Sequence, residues 1–510
     1  MATERDFITP ADVVVLTTAN VVGNTAFVEL YSNTARAQTY PVFSQNFALS
    51  PYLDRRWTYV RSSNATYMAA NGIITIAGAN TPRFDYDPVT LQGKGLLLEE
   101  GRVNLVQNST LFSNTAQPLN WGFYDGFNGL NLTLRANAGV APDGSNTAAF
   151  LVHTTDVSTY YVAYPDGISG TIANNVTYTY SVFFKANTSP QEPGFIIGQY
   201  NTPDNVNSVY LQFTLAANGS ITGFTNGGAG ANVQVHSVGS QNYPNGWVRV
   251  YYSFRYTTGN RTYVQFKHEL NSGGLTPASA NVRGVYLWGA QLEQGPFPTS
   301  FIPTPVFSSA TRVTDTAFIR GDNLNTFKDD KSMTVVDTVG IFGYHGNTTM
   351  TNSTEQRYQT VWVLASNPAP ATPFNQFDPP LGVLNNPAQL VNFVAQNTIR
   401  SYFNGTTVPH EIQQYTAMFN NIENYIGFNP FLLSVNNNIS NCMYVSTATT
   451  MRSNNWIMVS NGTLTFTTAN YFAGANNNYF QIGPLNGYFK RLAIYNTQLS
   501  NTEMINITTL

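Results

Sequence analysis

The sequence predicts an all-β, multi-domain chain, and three observations carry that prediction. Asparagine and glycine recur in short polar clusters, and both tolerate the positive φ of tight turns, so the chain reads as many short strands joined by turns. Aromatic residues make up 14% of the chain, with 33 Phe and 30 Tyr, and suit pleated sheet faces. Several windows alternate with the period of two that strands impose. The 510 residues allow roughly two to four domains.

Composition also excludes function classes. Hydrophobic residues reach 42%, enough for full cores, whereas charged residues reach 10%, against a usual ~25%. A disordered chain would show the reverse. A net charge of −3 with scattered Lys and Arg offers no basic stripe, which argues against nucleic-acid binding. Cys442 is the single cysteine and cannot form an intrachain disulfide, which fits assembly in a reducing cytoplasm. The start Met1-Ala2-Thr3-Glu4-Arg5-Asp6 lacks a signal-peptide apolar region, and no apolar run approaches the ~20 residues that span a bilayer. No membrane insertion is expected, and a protein of this kind acting outside cells leaves by a route such as lysis.

The elements follow in chain order. Residues 1–80 read as a small β-rich piece or arm, with strands at Val13–Leu16, Ala26–Tyr31 and Gly72–Gly78. Residues 81–110 read as a linker motif. Asp87-Pro88 and Gly93-Lys94-Gly95 are turn signals, Leu96, Leu97 and Leu98 form a buried run, and Glu99, Glu100, Arg102 and Asn104 follow. Glu99, Glu100 and Arg102 are best read as an ion pair and turn hydrogen bonds locking linker to domain, rather than as a reactive site.

Residues 111–305 form the next domain. Ala141–Phe150 is a turn followed by a strand, and Val176–Ala186 and Trp247–Tyr256 are strands. Period two places Trp247, Arg249, Tyr251, Ser253 and Arg255 on one face and Val248, Val250, Tyr252, Phe254 and Tyr256 on the other, core face. Tyr286–Glu293 is the last strand. Pro296, Pro298, Pro303 and Pro305 then make a stiff connector, placing a boundary near Pro303–Ser308. Residues 306–510 carry hairpin signals at Tyr402–Thr406 and Val459–Thr463, a strand over Gly487–Asn496, and a Ser500…Glu503 capping box that opens a short helix.

Two stretches carry a family resemblance. One is Pro82-Arg83-Phe84-Asp85-Tyr86-Asp87-Pro88, continued by Gly95-Leu96-Leu97-Leu98-Glu99-Glu100-Gly101-Arg102-Val103-Asn104-Leu105. The other is Tyr286-Leu287-Trp288-Gly289-Ala290-Gln291-Leu292-Glu293-Gln294-Gly295, closed by Thr299-Ser300-Phe301-Ile302-Pro303-Thr304. In this order the chain resembles bacteriophage virion proteins of the carbohydrate-binding-module type over roughly residues 82–510. The resemblance implies a β-jelly-roll at 111–305 followed by a concanavalin-A/laminin-G-like sandwich at 306–510, with the N-terminal piece docking on the particle. The opening Lys331–Asp337 departs from the pattern expected there.

Catalytic signals are missing. His153, His236, His268, His345 and His410 lie far apart, and His236 shares an alternating face with Asn232 and Gln234 that reads as solvent-facing. Neither a nucleophile elbow nor a phosphate loop is present. Cys442, between Asn441 and Met443, reads as a part-buried strand residue. The neighbours in Glu99-Glu100 and Asp329-Asp330 point to opposite strand faces, so neither pair is a catalytic dyad by itself. Asp143–Asn146 and Gly321–Asn325 offer oxygens to Ca²⁺, although Asx-turns explain both, and no cofactor is required. Sugar binding needs stacking aromatics beside hydrogen-bonding groups. Trp121, in Asn120-Trp121-Gly122, and Trp247, beside Arg249 and Arg255, are the candidate glycan-binding residues; Trp362 and Trp456 are weaker candidates, and Trp288 reads as core.

The leading reading is a non-enzymatic virion structural protein, a tail-fibre, head-fibre or decoration component that attaches to host-surface glycans. Its expected partners are host-surface glycans, other virion proteins and copies of itself, in a trimer. The rivals are an architectural adaptor or capsid-decorating protein, and a polysaccharide depolymerase.

Overall fold

The computed structural model describes residues 40–110, 121–125, 132–153, 161–165, 171–187, 194–200, 209–215, 221–259, 265–271, 284–305, 307–320, 333–341, 357–365, 393–402, 411–420, 424–426, 431–433, 443–452, 455–460, 462–468, 479–483 and 485–509. Pro41–Leu510 forms one compact unit, separate from Met1–Tyr40. The strands expected at Val13–Leu16 and Ala26–Tyr31 lie outside the described residues, as do Gly321–Asn325, Asp329-Asp330 and Cys442. The unit is all-β and built from two sandwiches.

The first sandwich pairs two six-stranded antiparallel sheets. One runs Val233–Asn242, Trp247–Tyr256, Thr177–Ala186, Gly284–Gln294, Ala148–His153, Leu132–Gly139; the other runs Ile221–Ala229, Val209–Leu215, Gly194–Tyr200, Gln265–Asn271, Tyr161–Pro165, Trp121–Asp125. Strand alternation sends Val248, Val250, Tyr252, Phe254 and Tyr256 inward, as expected, onto Ile197, Val209, Leu211 and Phe213 of the facing sheet. The motif strand Gly284–Gln294 sits centrally, between Thr177–Ala186 and Ala148–His153. A residue with positive φ, Gly289 (φ 66), lies mid-strand, so that Leu287, Ala290 and Leu292 all reach the core.

The opposite face of that sheet is also covered. The hairpin of Ala65–Met68 and Ile74–Ala77, within the expected Gly72–Gly78 strand, packs Met68 and Ile74 into a cluster with Phe183, Trp247, Trp288 and Phe301. Thr179 and Ser253 bond each other at 2.7 Å and reach the carbonyls of Gly295 and Pro296, so the connector lies across this face. Both faces of one sheet are therefore buried, and the polar face is buried against polar chain.

The second sandwich departs from the expected boundaries. One sheet runs Thr463–Thr468, Asn455–Ser460, Met443–Arg452, Met333–Ile341, Gly487–Tyr495, Gly93–Leu98, Phe84–Tyr86, and Phe43–Asn46 also pairs with Gly487–Tyr495. The other runs Trp57–Val60, Thr316–Arg320, Tyr479–Ile482, Arg357–Ala365, Phe393–Tyr402, Glu411–Asn420, Asn424–Ile426, with Phe431–Leu433 on Glu411–Asn420. Residues 41–98, read from sequence as an arm and a linker, thus supply strands to both sheets of this sandwich. Its core joins Phe43, Trp57, Leu96 and Leu98 to Val335, Trp362, Phe480 and Leu492. The leucine run is buried because it closes a sheet, not because it tethers one. Asp337, in the departing segment Lys331–Asp337, accepts from Trp362 Nε1 at 3.0 Å and Thr447 Oγ1 at 2.7 Å.

Local sequence signals hold at the C-terminal end. Ser460 and Thr463 pair at the end of their hairpin, with Gly462 at φ 73. Ser500 caps the helix Asn501–Thr508, accepting from the Glu503 amide, while the Glu503 carboxylate accepts from the Ser500 amide at 2.7 Å. A chain beginning at residue 306 lacks Phe43–Asn46, Trp57–Val60, Phe84–Tyr86 and Gly93–Leu98. We expect a 306–510 fragment to show no cooperative thermal transition by circular dichroism. Fusing residues 41–100 ahead of it restores one.

Candidate functional site

The two signature stretches meet where the sandwiches join, and they meet through buried charge. Glu99 leaves the strand Gly93–Leu98 with its side chain fully buried. Its carboxylate accepts from Arg83 Nη1 at 2.7 Å and lies 3.3 Å from Arg312 Nη1. It also accepts from the Ser300 amide at 2.7 Å and the Ser300 hydroxyl at 2.6 Å. Arg83 forks onward to Asp315 and also donates to the Thr66 carbonyl at 2.8 Å. Asp315 takes Tyr59 Oη at 2.5 Å, Arg61 Nη1 at 3.1 Å and the Glu99 amide at 2.8 Å. Arg61, Arg83, Glu99, Arg312 and Asp315 are all sealed from solvent.

The rest of the second stretch closes around this centre. Glu293 accepts from the Thr299 amide at 2.8 Å and its hydroxyl at 2.6 Å, and from Gln291 Nε2 at 2.6 Å. Gln291 Oε1 in turn accepts from the Ile302 amide at 2.7 Å. Asn104 bonds the carbonyls of Ala290 and Ile302 and the amide of Leu292, stitching the first stretch to the second. Glu100 pairs with Arg102, whose guanidinium lies over the Phe297 ring at 5.4 Å. Gly295, at φ 137, is the closest approach: a Cβ there would run into the Arg102 guanidinium. The expected role of Glu99, Glu100 and Arg102 as locking ions matches this geometry, though they lock two sandwiches rather than linker to domain.

The electrostatics follow from the pairing. Burial alone would raise the Glu99 pKa, but Arg312 and Arg83, with the Ser300 bonds, override it and hold the carboxyl down at about 2. Burial would likewise lower that of Arg83, yet Asp315 and Glu99 raise it above its ordinary value. Of the buried charged residues, those around the junction are Arg61, Arg83, Arg102, Arg249 and Arg312 against Asp85, Glu99, Glu100, Glu293 and Asp315, five of each sign. The junction is formally neutral.

A cleft of about 100 Å³ opens on the flank of this junction. Tyr67, Tyr86, Tyr243, Tyr251 and Tyr488 line it, with Asp85, Lys94, Gln241 and Arg249 among them. Asp85 accepts from the Met68 amide at 2.6 Å and Tyr488 Oη at 2.7 Å, and burial raises its pKa against the pull of Lys94. Lys94 Nζ stands 5.0 Å over the Tyr488 ring. Tyr243 Oη donates to Gln241 Oε1 at 3.3 Å. Tyr251 is 3% exposed, and its hydroxyl has no hydrogen-bond partner among the described residues.

Of the residues proposed from sequence for sugar binding, Arg249 is at the cleft, and Trp247 and Arg255 are not among its lining. Trp247 is 2% exposed, packs with Met68 and Phe301, and donates Nε1 to the Val140 carbonyl at 3.2 Å. Arg249, 4% exposed, bonds Ser181 Oγ and the Thr299 carbonyl and lies over Phe183. Arg255, also 4% exposed, donates to Gln234 Oε1 at 2.6 Å. Trp247 lies under the hairpin, Arg249 is tied to the connector at the edge of the cleft, and Arg255 is buried against Gln234 of the same sheet. Trp121 lies in the strand Trp121–Asp125, and its side chain is outside the described residues. His236 is buried rather than solvent-facing: the register slips between Val235 and Ser237 and breaks the alternation there. Trp288 is core, as expected, and so is Trp362. Asp143 is used up within its own turn, accepting from the Ser145 amide at 2.9 Å and hydroxyl at 2.6 Å.

Sequence reasoning missed Arg61, Arg312 and Asp315, which belong to no quoted stretch, and the tyrosines of the cleft. The usable signal was scarcity: where charge is only 10% of the chain, Arg312 and Asp315 three residues apart just after a proline-rich connector stand out.

No protein-family model matches the sequence, and no curated protein matches it. Among solved structures the chain is similar to the mouse laminin alpha1 chain, domains LG4-5, at 8% identity, covering 76% of this chain and 92% of that chain with a TM-score of 0.19. A likeness at that score adds nothing to the fold, which rests on the sheet pairings.

Removing one partner from a buried ion network strands the others. Arg83→Ala leaves Glu99 and Asp315 short of their shared cation, and we expect a loss of about 3–5 kcal/mol in urea denaturation. A second outcome concerns pH. Because the folded pKa of Glu99, about 2, lies below its ordinary 4.5, its contribution is full above pH 4.5 and drains away as pH falls toward 2. That contribution is on the order of 3 kcal/mol. Asp85, with its raised pKa, acts in the opposite sense: its contribution is full below its ordinary 3.8 and is lost as pH rises. The difference between wild type and Glu99→Gln across pH 2–5 therefore isolates Glu99, and it should shrink toward the acid end.

Proposed function

We propose that this chain is a non-enzymatic structural protein of a bacteriophage particle, a tail-fibre, head-fibre or decoration component that attaches to host-surface glycans. The observation that carries the reading is the convergence of both signature stretches on one buried lock between the sandwiches. Those stretches are the ones that resemble virion proteins. A part displayed on a particle must keep its domains in fixed relation while it is pulled at one end, and a desolvated, directional ion network supplies that.

The acids most open to a catalytic reading have structural employment. Glu99 is held by Arg83, Arg312 and Ser300, Glu100 by Arg102, and Glu293 by Thr299 and Gln291. A general acid for glycoside cleavage needs a pKa raised toward neutrality, and Glu99 is shifted the other way. On this reading the chain assembles with other virion proteins in the host cytoplasm, leaves by lysis, and works as a homo-oligomer, a trimer being our choice. Multivalent display then raises weak single-site sugar affinity to useful avidity.

Gold-labelled antibody against the chain, imaged on purified particles, should decorate a surface appendage, and the purified protein should bind host envelope polysaccharide without shortening it. Shortened polysaccharide would establish the depolymerase instead. Labelling confined to an internal connector, with no binding to host material, would establish the adaptor. Mass measurement in solution should give a trimer, and a monomer both in solution and on the particle would rule out the oligomer.

A further inference from the structure

The cleft beside the junction has the chemistry of a ligand site, and one group in it is otherwise hard to account for. Tyr251 projects from the strand Trp247–Tyr256 across Gly239 of the neighbouring edge strand, its register partner. A Cβ at Gly239 would overlap the Tyr251 hydroxyl, so the glycine is what lets the ring lie there. That hydroxyl is buried and bonds to nothing among the described residues, and Tyr251 is one of the residues that line the cleft. Burial pushes its pKa up, against the pull of Arg249, so it stays a neutral donor. A buried donor without a partner costs on the order of 1–3 kcal/mol, and such groups are few in folded proteins.

The surroundings select the ligand. Tyr86 and Tyr243 are half-buried rings at the cleft, giving apolar faces suited to sugar C–H groups. Gln241, beside Tyr243, brings an amide that can both donate and accept. The charges balance: Arg249 and Asp85 belong to the neutral junction set, and Lys94 sits 4.0 Å from Asp87. Neither an anion nor a cation is favoured. We propose that this cleft binds an uncharged saccharide, taking one ring edge, with the Tyr251 hydroxyl donating to a sugar oxygen and Tyr243 and Tyr86 packing on the ring. The assignment rests on the glycan-attachment reading for its biological setting only; its chemistry is independent of the virion.

The test uses the full chain and a panel of methyl glycosides of glucose, galactose, mannose and N-acetylglucosamine, with glucuronate as the charged comparator, titrated by saturation-transfer NMR. At least one neutral glycoside should bind at millimolar concentration, more tightly than glucuronate. Tyr251→Phe keeps the ring and removes only the donor. It should weaken binding about two- to tenfold, the worth of one hydrogen bond. It should also leave the melting temperature unchanged or raised, which a hydroxyl with a structural bond would not. Gly239→Ala, which displaces the ring, should weaken binding in the same way. Unaltered binding by Tyr251→Phe, or no binding of any neutral glycoside by wild type, would overturn the assignment. A parallel assay on whole host cells separates the two readings. Undiminished cell binding by Tyr251→Phe overturns the cleft and leaves attachment standing. Glycoside binding that Tyr251→Phe weakens, in a protein that adheres to no host cell, upholds the cleft and removes attachment.

Discussion

The buried carboxylate of Glu99 is the constraint on which the rest of this structure depends. It sits between Arg83 and Arg312, and each of its partners comes from a different part of the chain. Arg83 arrives from the segment before the Gly93–Leu98 strand, Ser300 from the connector after the first sandwich, and Arg312 from the strand Ala310–Arg312. A carboxylate with no water must have such partners, because the alternative is an uncompensated charge in a low-dielectric interior. Satisfying it forces three chain segments to meet at one point. The geometry of the two sandwiches follows from that meeting.

An apolar contact of similar area would also hold two sandwiches together, and replacing a whole buried ion network with well-packed apolar groups is often neutral or stabilising. What apolar contact does not do is fix direction. The Glu99, Asp315 and Glu293 side chains each bond backbone groups as well as side chains, Asn104 bonds backbone groups, and each bond has an angle to satisfy. The connector is thereby held along its length rather than at its ends. This is also why the outer face of the Trp247–Tyr256 strand carries Arg249 and Ser253 although it is buried: its neighbour is polar backbone that needs partners.

The same fact marks where the sequence was legible and where it was not. Strand faces set by local alternation were readable, as Val248, Val250, Tyr252, Phe254 and Tyr256 illustrate, and so were the Ser500–Glu503 cap and the hairpin that closes at Ser460 and Thr463, because local chemistry decides each. Glu99, Glu100 and Arg102 were readable as locking ions from the character of the whole stretch that holds them, not from a local rule. The exposure of Trp247 and Arg249 was not readable, since alternation separates two faces without saying what covers the second. Strand pairings across hundreds of residues were equally hidden: Phe43 beside Ile494 and Leu98 beside Gly487 leave no local mark, and the leucine run looked like a tether. The cleft escaped notice because its tyrosines come from distant segments, brought together by the lock.

If charge at the junction makes the two sandwiches one cooperative body, scanning calorimetry of the full chain will show it. Wild type should unfold in a single transition whose calorimetric and van't Hoff enthalpies agree, with both sandwiches melting together. Arg83→Ala should split that peak into two, the second sandwich melting at lower temperature. Two separate transitions in wild type, or a single unshifted peak in Arg83→Ala, would contradict the account.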